Sequence, residues 1–277
     1  MTSAPKLKAP VGACDCHLHI YGPREKYPWI EVPNRPFLDK PLDQYLAVRD
    51  KLGLQRTVVV QATQYNTDNS CLLDTVAALG ANGRGIGVVD PAITEDALAA
   101  LHAGGVRGLR FGVDLANGMQ PAVLEDMAAR IAPFGWHIQY RCWPQELLDL
   151  EARFRALPVD IVFDHMGNID PATGTDHPAF KALLGLLDTG RCWVKLSAPY
   201  QLSKTGEPEY ADYRAQGRAL AAANPDRTVW GTNWPHPRVE EKPDEAHLLN
   251  VLLDWTDGDT GMIHKILTDN PAMLYGF

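Results

Sequence analysis

The sequence contains no run of about 18 apolar residues, so we expect no segment that spans a membrane. It has only five cysteines among 277 residues, an odd number without CxxC spacing, which argues against a disulfide framework. Its first ten residues carry lysine and proline in place of an apolar run, so we expect no signal peptide. These absences together predict a cytoplasmic protein with reduced thiols.

Basic residues are also scarce relative to acidic ones. The chain has 26 lysines and arginines against 34 aspartates and glutamates, which gives a net charge of −8. We expect neither a nucleic-acid nor a membrane partner, because both attract basic surfaces. A negatively charged substrate would therefore need a local basic pocket.

Eight short stretches rich in β-forming residues alternate with helical segments. The predicted strands lie near residues 13–20, 57–62, 84–89, 106–111, 136–142, 159–164, 191–196 and 227–232. Between them, apolar residues recur with helical spacing, as in residues 42–52 before Gly53. Continuous apolar runs such as residues 57–60 are typical of parallel strands covered on both faces. This order predicts an α/β fold, a (β/α)8 TIM barrel that forms a single domain over residues 1–277.

The segment after the first strand distinguishes this fold from a doubly wound sheet. A doubly wound sheet usually carries a glycine-rich phosphate turn there, whereas this chain has His17 and His19. The following residues, Gly22 to Pro41, are rich in proline. We expect them to form a long loop that partly covers the active site.

Histidines stand at two predicted strand ends, where barrel enzymes gather their catalytic residues. His17 and His19 are two positions apart on the first strand, so both imidazoles should face the barrel mouth. They would serve as a metal pair or as donors that polarise a carbonyl; the alternative is two buried structural histidines. His165 ends strand six beside Asp164, which would orient an imidazole or form a salt bridge outside the barrel.

Polar residues also follow the last two strands. Asn233, after strand eight, is a predicted catalytic residue. His236 lies between two prolines and is either structural or a direct participant. Ser197 and Tyr200, after strand seven, offer further hydrogen bonds.

Basic residues at strand ends predict an anion-binding site inside this acidic protein. Arg110, Arg141 and Lys195 end strands four, five and seven. A buried arginine needs a carbonyl or carboxylate partner, so we expect one or two of these residues to bind a substrate carboxylate through paired hydrogen bonds. The alternative is an internal ion pair with Asp90 or Asp114. Neutral groups that would orient the substrate follow strand two: Gln61, Thr63 and Tyr65.

Three motifs together resemble the amidohydrolase superfamily. They are Asp15-Cys16-His17-Leu18-His19, Phe163-Asp164-His165-Met166-Gly167 and Trp230-Gly231-Thr232-Asn233-Trp234-Pro235-His236-Pro237. More narrowly, they are similar to its 2-pyrone-4,6-dicarboxylate hydrolase branch, and the similarity extends along nearly the whole chain. The resemblance implies a (β/α)8 barrel that acts on lactones or esters of small carboxylic acids. A sister group, the galactarolactone isomerases, shares the fold.

The first departure from the family pattern concerns metal ligands. Metal-using relatives supply a carbamylated lysine at strand four or a histidine at strand five, and an aspartate at strand eight. This chain has Arg110, Arg141 and Asn233 there. Without an anionic ligand a dication should bind weakly, and the lactonase branch is metal-independent. We therefore expect no metal and no cofactor, with zinc as the alternative.

The second departure concerns the base. In the lactonases the strand-eight residue is an aspartate that takes a proton from the attacking water, which Asn233 cannot do. Three explanations are open. A histidine takes over as base, the reaction is an isomerisation in which a substrate hydroxyl attacks, or asparagine deliberately replaces aspartate. Galactarolactone isomerases have the asparagine but lack the full histidine pair.

The leading hypothesis is hydrolysis of a small carboxylated lactone to the open-chain acid. The lactone would resemble 2-pyrone-4,6-dicarboxylate, muconolactone or a sugar-acid lactone. The arginines would hold its carboxylates, and His17 and His19 would polarise the ring carbonyl. His165 would act as base and Asn233 would orient the nucleophile. A lactone isomerase and a zinc-dependent hydrolase or decarboxylase are the alternatives, and the oligomeric state is left open.

Overall fold

The computed structural model describes residues 3–32, 38–112 and 119–277. Eight strands pair side by side in chain order, and every pair is parallel. The strands are β1 Cys14–Leu18, β2 Arg56–Val60, β3 Gly83–Gly87, β4 Val106–Gly112, β5 His137–Arg141, β6 Ile161–Phe163, β7 Cys192–Ser197 and β8 Thr228–Gly231. The helices are α1 Leu42–Leu52, α2 Ser70–Leu79, α3 Glu95–Ala103, α4 Leu124–Ile131, α5 Pro144–Ala156, α6 Pro178–Leu187, α7 Arg214–Ala223, α8 Glu245–Trp255, α9 Thr260–His264 and α10 Asn270–Tyr275. The predicted alternation of strands and helices is confirmed.

The sheet closes where the segment after β8 meets the end of β1. The backbone N–H of His19 donates to the carbonyl of Trp234 at 2.8 Å, and that of Asn233 donates to the carbonyl of His17 at 2.7 Å. Leu18 and Trp234 form a parallel bridge between these two bonds. The structure is therefore a (β/α)8 barrel, and its closure brings two predicted site residues together.

Two apolar cores explain the continuous apolar strands. In β2, Val58 and Val60 point into the barrel, whereas Val59 packs outward against the helices. Because both faces are covered, all three valines are buried, as expected for a parallel barrel strand. Each contributes about 1.5–3 kcal/mol relative to exposure. Tyr275 of α10 joins the inner core, and its ring lies 5.3 Å from that of His137 at the start of β5.

A bulge in β1 sets the direction of its polar side chains. Between Asp15 and Leu18, β1 has one residue more than the facing part of β2. Asp15 faces outward and accepts hydrogen bonds from the backbone N–H groups of His17 and Thr232 and from the hydroxyl of Tyr45. The bulge therefore turns His17 into the barrel, although simple alternation would place it on the same face as Asp15.

Gly231 of β8 is required by the close approach of β1. A Cβ at this position would lie 2.7 Å from the backbone nitrogen of His17 and 2.8 Å from its Cβ. We predict that Gly231→Ala lowers the free energy of unfolding by about 1–3 kcal/mol, as overpacked positions do. Chemical denaturation measures this change. Gly185→Ala in α6 is the control, because it gains helix propensity and its Cβ would meet only the exposed side chain of Arg155, 3.0 Å away, which can move aside. Equal stability of both variants would contradict the predicted clash.

Residues 33–37 of the predicted covering loop lie outside the described residues, and so does Asp114. Within the described ranges, no helix is long and apolar enough to cross a membrane. All five cysteines are described, and each is buried with a free thiol. This agrees with the expectation of reduced cysteines.

Candidate active site

A narrow cleft opens where the strands end. Its described lining contains three arginines and two histidines but neither aspartate nor glutamate. The lining residues are His19, Tyr21, Thr63, Arg110, Arg141, His165, Gln201, Asn233, Pro237 and Arg238. We call this set the cleft.

Three imidazoles converge beneath and beside the cleft. The ring of His17 lies 5.1 Å from that of His19 and 4.7 Å from that of His165, measured between ring centres. Both of the latter line the cleft, whereas His17 lies deeper. The structure thus brings together the three histidines that the sequence predicts at two separate strand ends.

The protonation pattern of His19 is fixed by its neighbour. Its Nδ1 lies 2.8 Å from the backbone carbonyl of Val60, which can only accept a hydrogen bond. Nδ1 therefore carries the proton, and Nε2 keeps its lone pair. Burial, followed by the nearby charge of Arg110, lowers the pKa of His19 well below its ordinary value. At neutral pH the ring is uncharged and offers the substrate an acceptor.

His17 is held from below by two charged groups. Its Nδ1 lies 3.2 Å from a carboxylate oxygen of Asp164 and 3.2 Å from the ammonium of Lys195. Its Nε2 is buried and has no hydrogen-bond partner among the described residues. Burial lowers the pKa of His17 to about 4, although the charge of Asp164 opposes that shift. His17 is therefore a neutral ring.

Lys195 lies inside the barrel and does not line the cleft. Its ammonium donates to Gln139 Oε1 at 2.6 Å and to the carbonyl of Cys16 at 3.0 Å. The third proton faces His17 and Asp164, the latter at 3.5 Å. All three ammonium protons are directed at protein acceptors, so none remains for a substrate. This corrects the expectation that Lys195 binds the substrate.

Two other residues predicted to contact the substrate hold loops in place. The side-chain amide of Gln61 donates to the carbonyls of Asn66 and Asp68, which uses both of its protons. The hydroxyl of Tyr65 accepts from the backbone N–H of Gly22 at 3.0 Å. Neither residue lines the cleft, which corrects both expectations. Thr63, from the same segment, does line it.

The predicted arginine pair lies at the cleft. Arg110 donates to the carbonyl of Gln61 at 3.0 Å, and Arg141 donates to Gln201 Oε1 at 3.3 Å. Both guanidinium groups are largely buried. The cleft also contains Arg238 and Gln201, which sequence reasoning missed. Arg238 directly follows the Pro-His-Pro segment after β8, and this position near a strand end could have indicated that it belongs to the site.

A line of hydrogen bonds runs from the cleft to the first residue of α8. Asn233 donates from Nδ2 to the hydroxyl of Tyr200 at 2.7 Å. His236 Nδ1 lies 3.1 Å from the same hydroxyl, and its Nε2 lies 3.2 Å from Glu245 Oε1. Both rings and the carboxylate lie behind Asn233, outside the cleft. His236 is thus a structural support and lacks direct access to the cleft.

The chain matches the amidohydrolase family over residues 14–277. The chain belongs to that family. This amidohydrolase is 35% identical to the 2-pyrone-4,6-dicarboxylate hydrolase of Comamonas testosteroni, over 99% of this chain and 93% of the relative. It is 33% identical to the D-galactarolactone isomerase of Agrobacterium fabrum, over 99% and 94%.

The structural comparison agrees with these relatives. The amidohydrolase superposes on an apo crystal structure from Agrobacterium tumefaciens with a TM-score of 0.89 and 33% identity. The match covers 99% of this chain and 97% of the other. The resemblance inferred from three short motifs is therefore confirmed over the full length.

The backbone of this amidohydrolase is strained at three neighbouring strand ends. His165 after β6, Ala198 after β7 and Asn233 after β8 have positive φ angles of 51°, 53° and 59°. Residues with a Cβ seldom adopt this conformation, and such residues cluster at functional sites. The strain lies at the end of the barrel that carries the cleft.

Many amidohydrolases hold metal ions, and three buried side chains of this chain could act as ligands. His17, Asp164 and His165 can bring one ligand atom each within 4.8 Å of one another. However, the ammonium of Lys195 lies 3.2 Å from His17 and 3.5 Å from Asp164. This ammonium would repel a dication bound at the three side chains. The one carboxylate among them, that of Asp164, already neutralises the ammonium. The residues present therefore fit a tightly bound dication poorly.

Proposed function

We propose that this amidohydrolase hydrolyses a small carboxylated lactone to the open-chain acid. The observation that carries the proposal is the placement of Arg110, Arg141 and Arg238 around one small cleft whose described lining has no acidic side chain. Substrate carboxylates would accept paired hydrogen bonds from these guanidinium groups. A relative with 35% identity is named for hydrolysis of a pyrone dicarboxylate, which is a lactone of this kind.

The fixed proton of His19 supports a specific division of roles. Water adds to the ring carbonyl carbon while Nε2 of His19 accepts its proton. The ring C–O bond then breaks, and the departing alkoxide takes that proton back. His165, whose Nδ1 lies 2.9 Å from the hydroxyl of Ser197, donates from Nε2 to the oxyanion. These roles reverse those expected from sequence, where His165 was the base and His19 a donor.

We also propose that the reaction proceeds without a bound metal, in a cytoplasmic enzyme. The charge of Lys195 beside His17 and Asp164 supports the first statement, and five free thiols support the second. Metal analysis of the purified protein, with activity measured before and after chelation, tests the first. Stoichiometric zinc whose removal abolishes turnover would overturn it.

The isotope content of the product tests hydrolysis. Carboxylated lactones, including 2-pyrone-4,6-dicarboxylate and D-galactarolactone, are incubated with the enzyme in H2(18)O. Hydrolysis places one solvent oxygen in the new carboxylate, and NMR shows an open-chain acid. A product that remains a lactone and contains no solvent oxygen would overturn hydrolysis.

Isomerisation of a lactone ring is the second candidate function. It is favoured by Asn233, since an amide in the cleft cannot take a proton from water. In this reaction a hydroxyl of the substrate replaces water as the nucleophile. The 33% identical relative named D-galactarolactone isomerase gives further support. The same isotope experiment identifies this reaction by the unlabelled lactone product.

Arg110 gives a direct test of carboxylate binding. We predict that Arg110→Met raises KM by about 10-fold to 100-fold, because hydrogen bonds to charged groups contribute about 1.5–3 kcal/mol. Steady-state kinetics with a carboxylated lactone measures the change. Arg107→Met is the control, since Arg107 lies on the same strand but donates to the carbonyls of His102 and Val106. Equal KM values for both variants would contradict a substrate contact at Arg110.

A further inference from the structure

In the hydrogen bonds behind Asn233, the donor and the acceptor of each bond can be assigned in turn. Glu245 accepts through its carboxylate, so Nε2 of His236 must carry the ring proton. Burial lowers the pKa of His236, and the charge of Glu245 only partly opposes this, so the ring carries one proton. Nδ1 of His236 therefore keeps a lone pair. That lone pair accepts the proton of the Tyr200 hydroxyl at 3.1 Å.

The same assignment extends to the cleft. Because the Tyr200 hydroxyl donates its proton to His236, its oxygen accepts a hydrogen bond from Asn233, whose Nδ2 lies 2.7 Å away. If the amide were flipped, its oxygen would face another oxygen that has no proton to give. The orientation of the amide thus follows from the carboxylate at the far end of the line.

The backbone of Asn233 is held on both sides by hydrogen bonds. Its N–H donates to the carbonyl of His17 at 2.7 Å, and its carbonyl accepts from the N–H of His236 at 2.9 Å. Lys242 further holds the carbonyl of His236 at 2.8 Å. With the backbone held and the side-chain amide 2.7 Å from the Tyr200 hydroxyl, the question that remains is which amide atom faces Tyr200.

We propose that Tyr200, His236 and Glu245 are positioning residues that fix the Asn233 amide with its nitrogen toward Tyr200 and its oxygen toward the substrate. The cleft then presents an acceptor at this point, and the group that it selects is a hydroxyl. The substrate class becomes a carboxylated lactone with a free hydroxyl group. This inference rests on the proposed lactone chemistry and adds a specificity that the arginines do not supply.

Two lactones and two matched variants test the proposal. D-Galactarolactone carries hydroxyl groups, whereas 2-pyrone-4,6-dicarboxylate carries none. We expect Tyr200→Phe to lower kcat/KM for D-galactarolactone at least about 10-fold and to change that for the pyrone less than about 3-fold. Tyr213→Phe is the control, because it removes a buried hydroxyl that donates to the carbonyl of Ile169, away from the cleft. It should leave both values unchanged.

The outcomes distinguish this proposal from the proposed function. If Tyr200→Phe lowers both kcat/KM values equally, or neither, the positioning role is overturned while lactone chemistry stands. If the wild type turns over no carboxylated lactone, the proposed function fails. In that case a readout independent of activity still decides the positioning role.

Nitrogen NMR supplies this readout on the intact protein. We expect 15N shifts of His236 that show a protonated Nε2 and an unprotonated Nδ1. We also expect the side-chain amide protons of Asn233 to exchange with water at least about 10-fold faster in Tyr200→Phe than in Tyr213→Phe, because one hydrogen bond is lost. A protonated Nδ1 on His236, or equal exchange in both variants, would overturn the proposal.

Discussion

Replacing Lys195 with methionine is expected to lower the free energy of unfolding by about 3–5 kcal/mol, because it leaves a buried carboxylate without its cation. Lys195 and Asp164 are both fully buried, 3.5 Å apart. Burial alone raises the pKa of Asp164, but His17 and Lys195 together hold it well below its ordinary value. Chemical denaturation of both proteins measures the difference.

The wild type and Lys195→Met should also differ in how their stability changes with pH. In the wild type the folded-state pKa of Asp164 lies below the unfolded value, so its contribution is present at neutral pH and is lost as pH falls below about 4. In Lys195→Met the contact with His17 remains but one of the two groups that lower this pKa is lost, so the folded-state pKa of Asp164 should rise toward the unfolded value. The variant should then lose the contribution of Asp164 at a higher pH than the wild type as the solution is acidified.

A second substitution serves as the control for this charge argument. Lys195→Met combined with Asp164→Asn removes both charges together, so the double variant should be more stable than Lys195→Met alone. The two changes should be non-additive by about 1–3 kcal/mol. Simple additivity would show that the two charges do not interact, and the electrostatic account of Lys195 would be wrong.

Replacing His19 with alanine should lower kcat by about 10²–10⁴-fold, which is the usual contribution of general-base catalysis. His19 is the cleft imidazole whose lone pair is fixed, through the hydrogen bond from Nδ1 to Val60. His264→Ala is the control, since His264 is exposed and faces Asp269 far from the cleft. Its kcat should equal that of the wild type.

The pH profile of kcat/KM tests the same assignment without a mutation. A base must be unprotonated, so activity rises with pH through its pKa. Because burial lowers the pKa of His19 well below 6.5, activity should already be constant above pH 6.5 and decline only at lower pH. A rising limb centred at or above 6.5 would contradict a buried imidazole base.

The fold could be predicted from sequence because local signals agreed along the chain. Each strand carries a continuous apolar run, as in Val58–Val60, since both faces of a barrel strand are buried. Strand ends could likewise be located, which placed Arg110, Arg141, His165 and Asn233 at one end of the barrel. The family resemblance followed from the same strand-end motifs and is confirmed.

The directions of individual side chains could not be predicted in this way. Gln61 and Tyr65 stand beside Thr63 in sequence, yet only Thr63 lines the cleft, because the other two satisfy loop backbone groups. Lys195 lies on the correct strand but one level too deep, where it faces Asp164. Arg238 belongs to a loop, and loop paths depend on contacts distant in sequence.

The sequence by itself determined the barrel, the family and the strand ends that carry the histidines and arginines, because these follow from local periodicity and short motifs. The tertiary structure alone decided what those groups can do. The carbonyl of Val60 fixes the proton on His19, and Lys195 places a positive charge beneath His17. Protonation states and charge pairing depend on partners from other strands, and no local pattern specifies which atoms meet across a closed barrel.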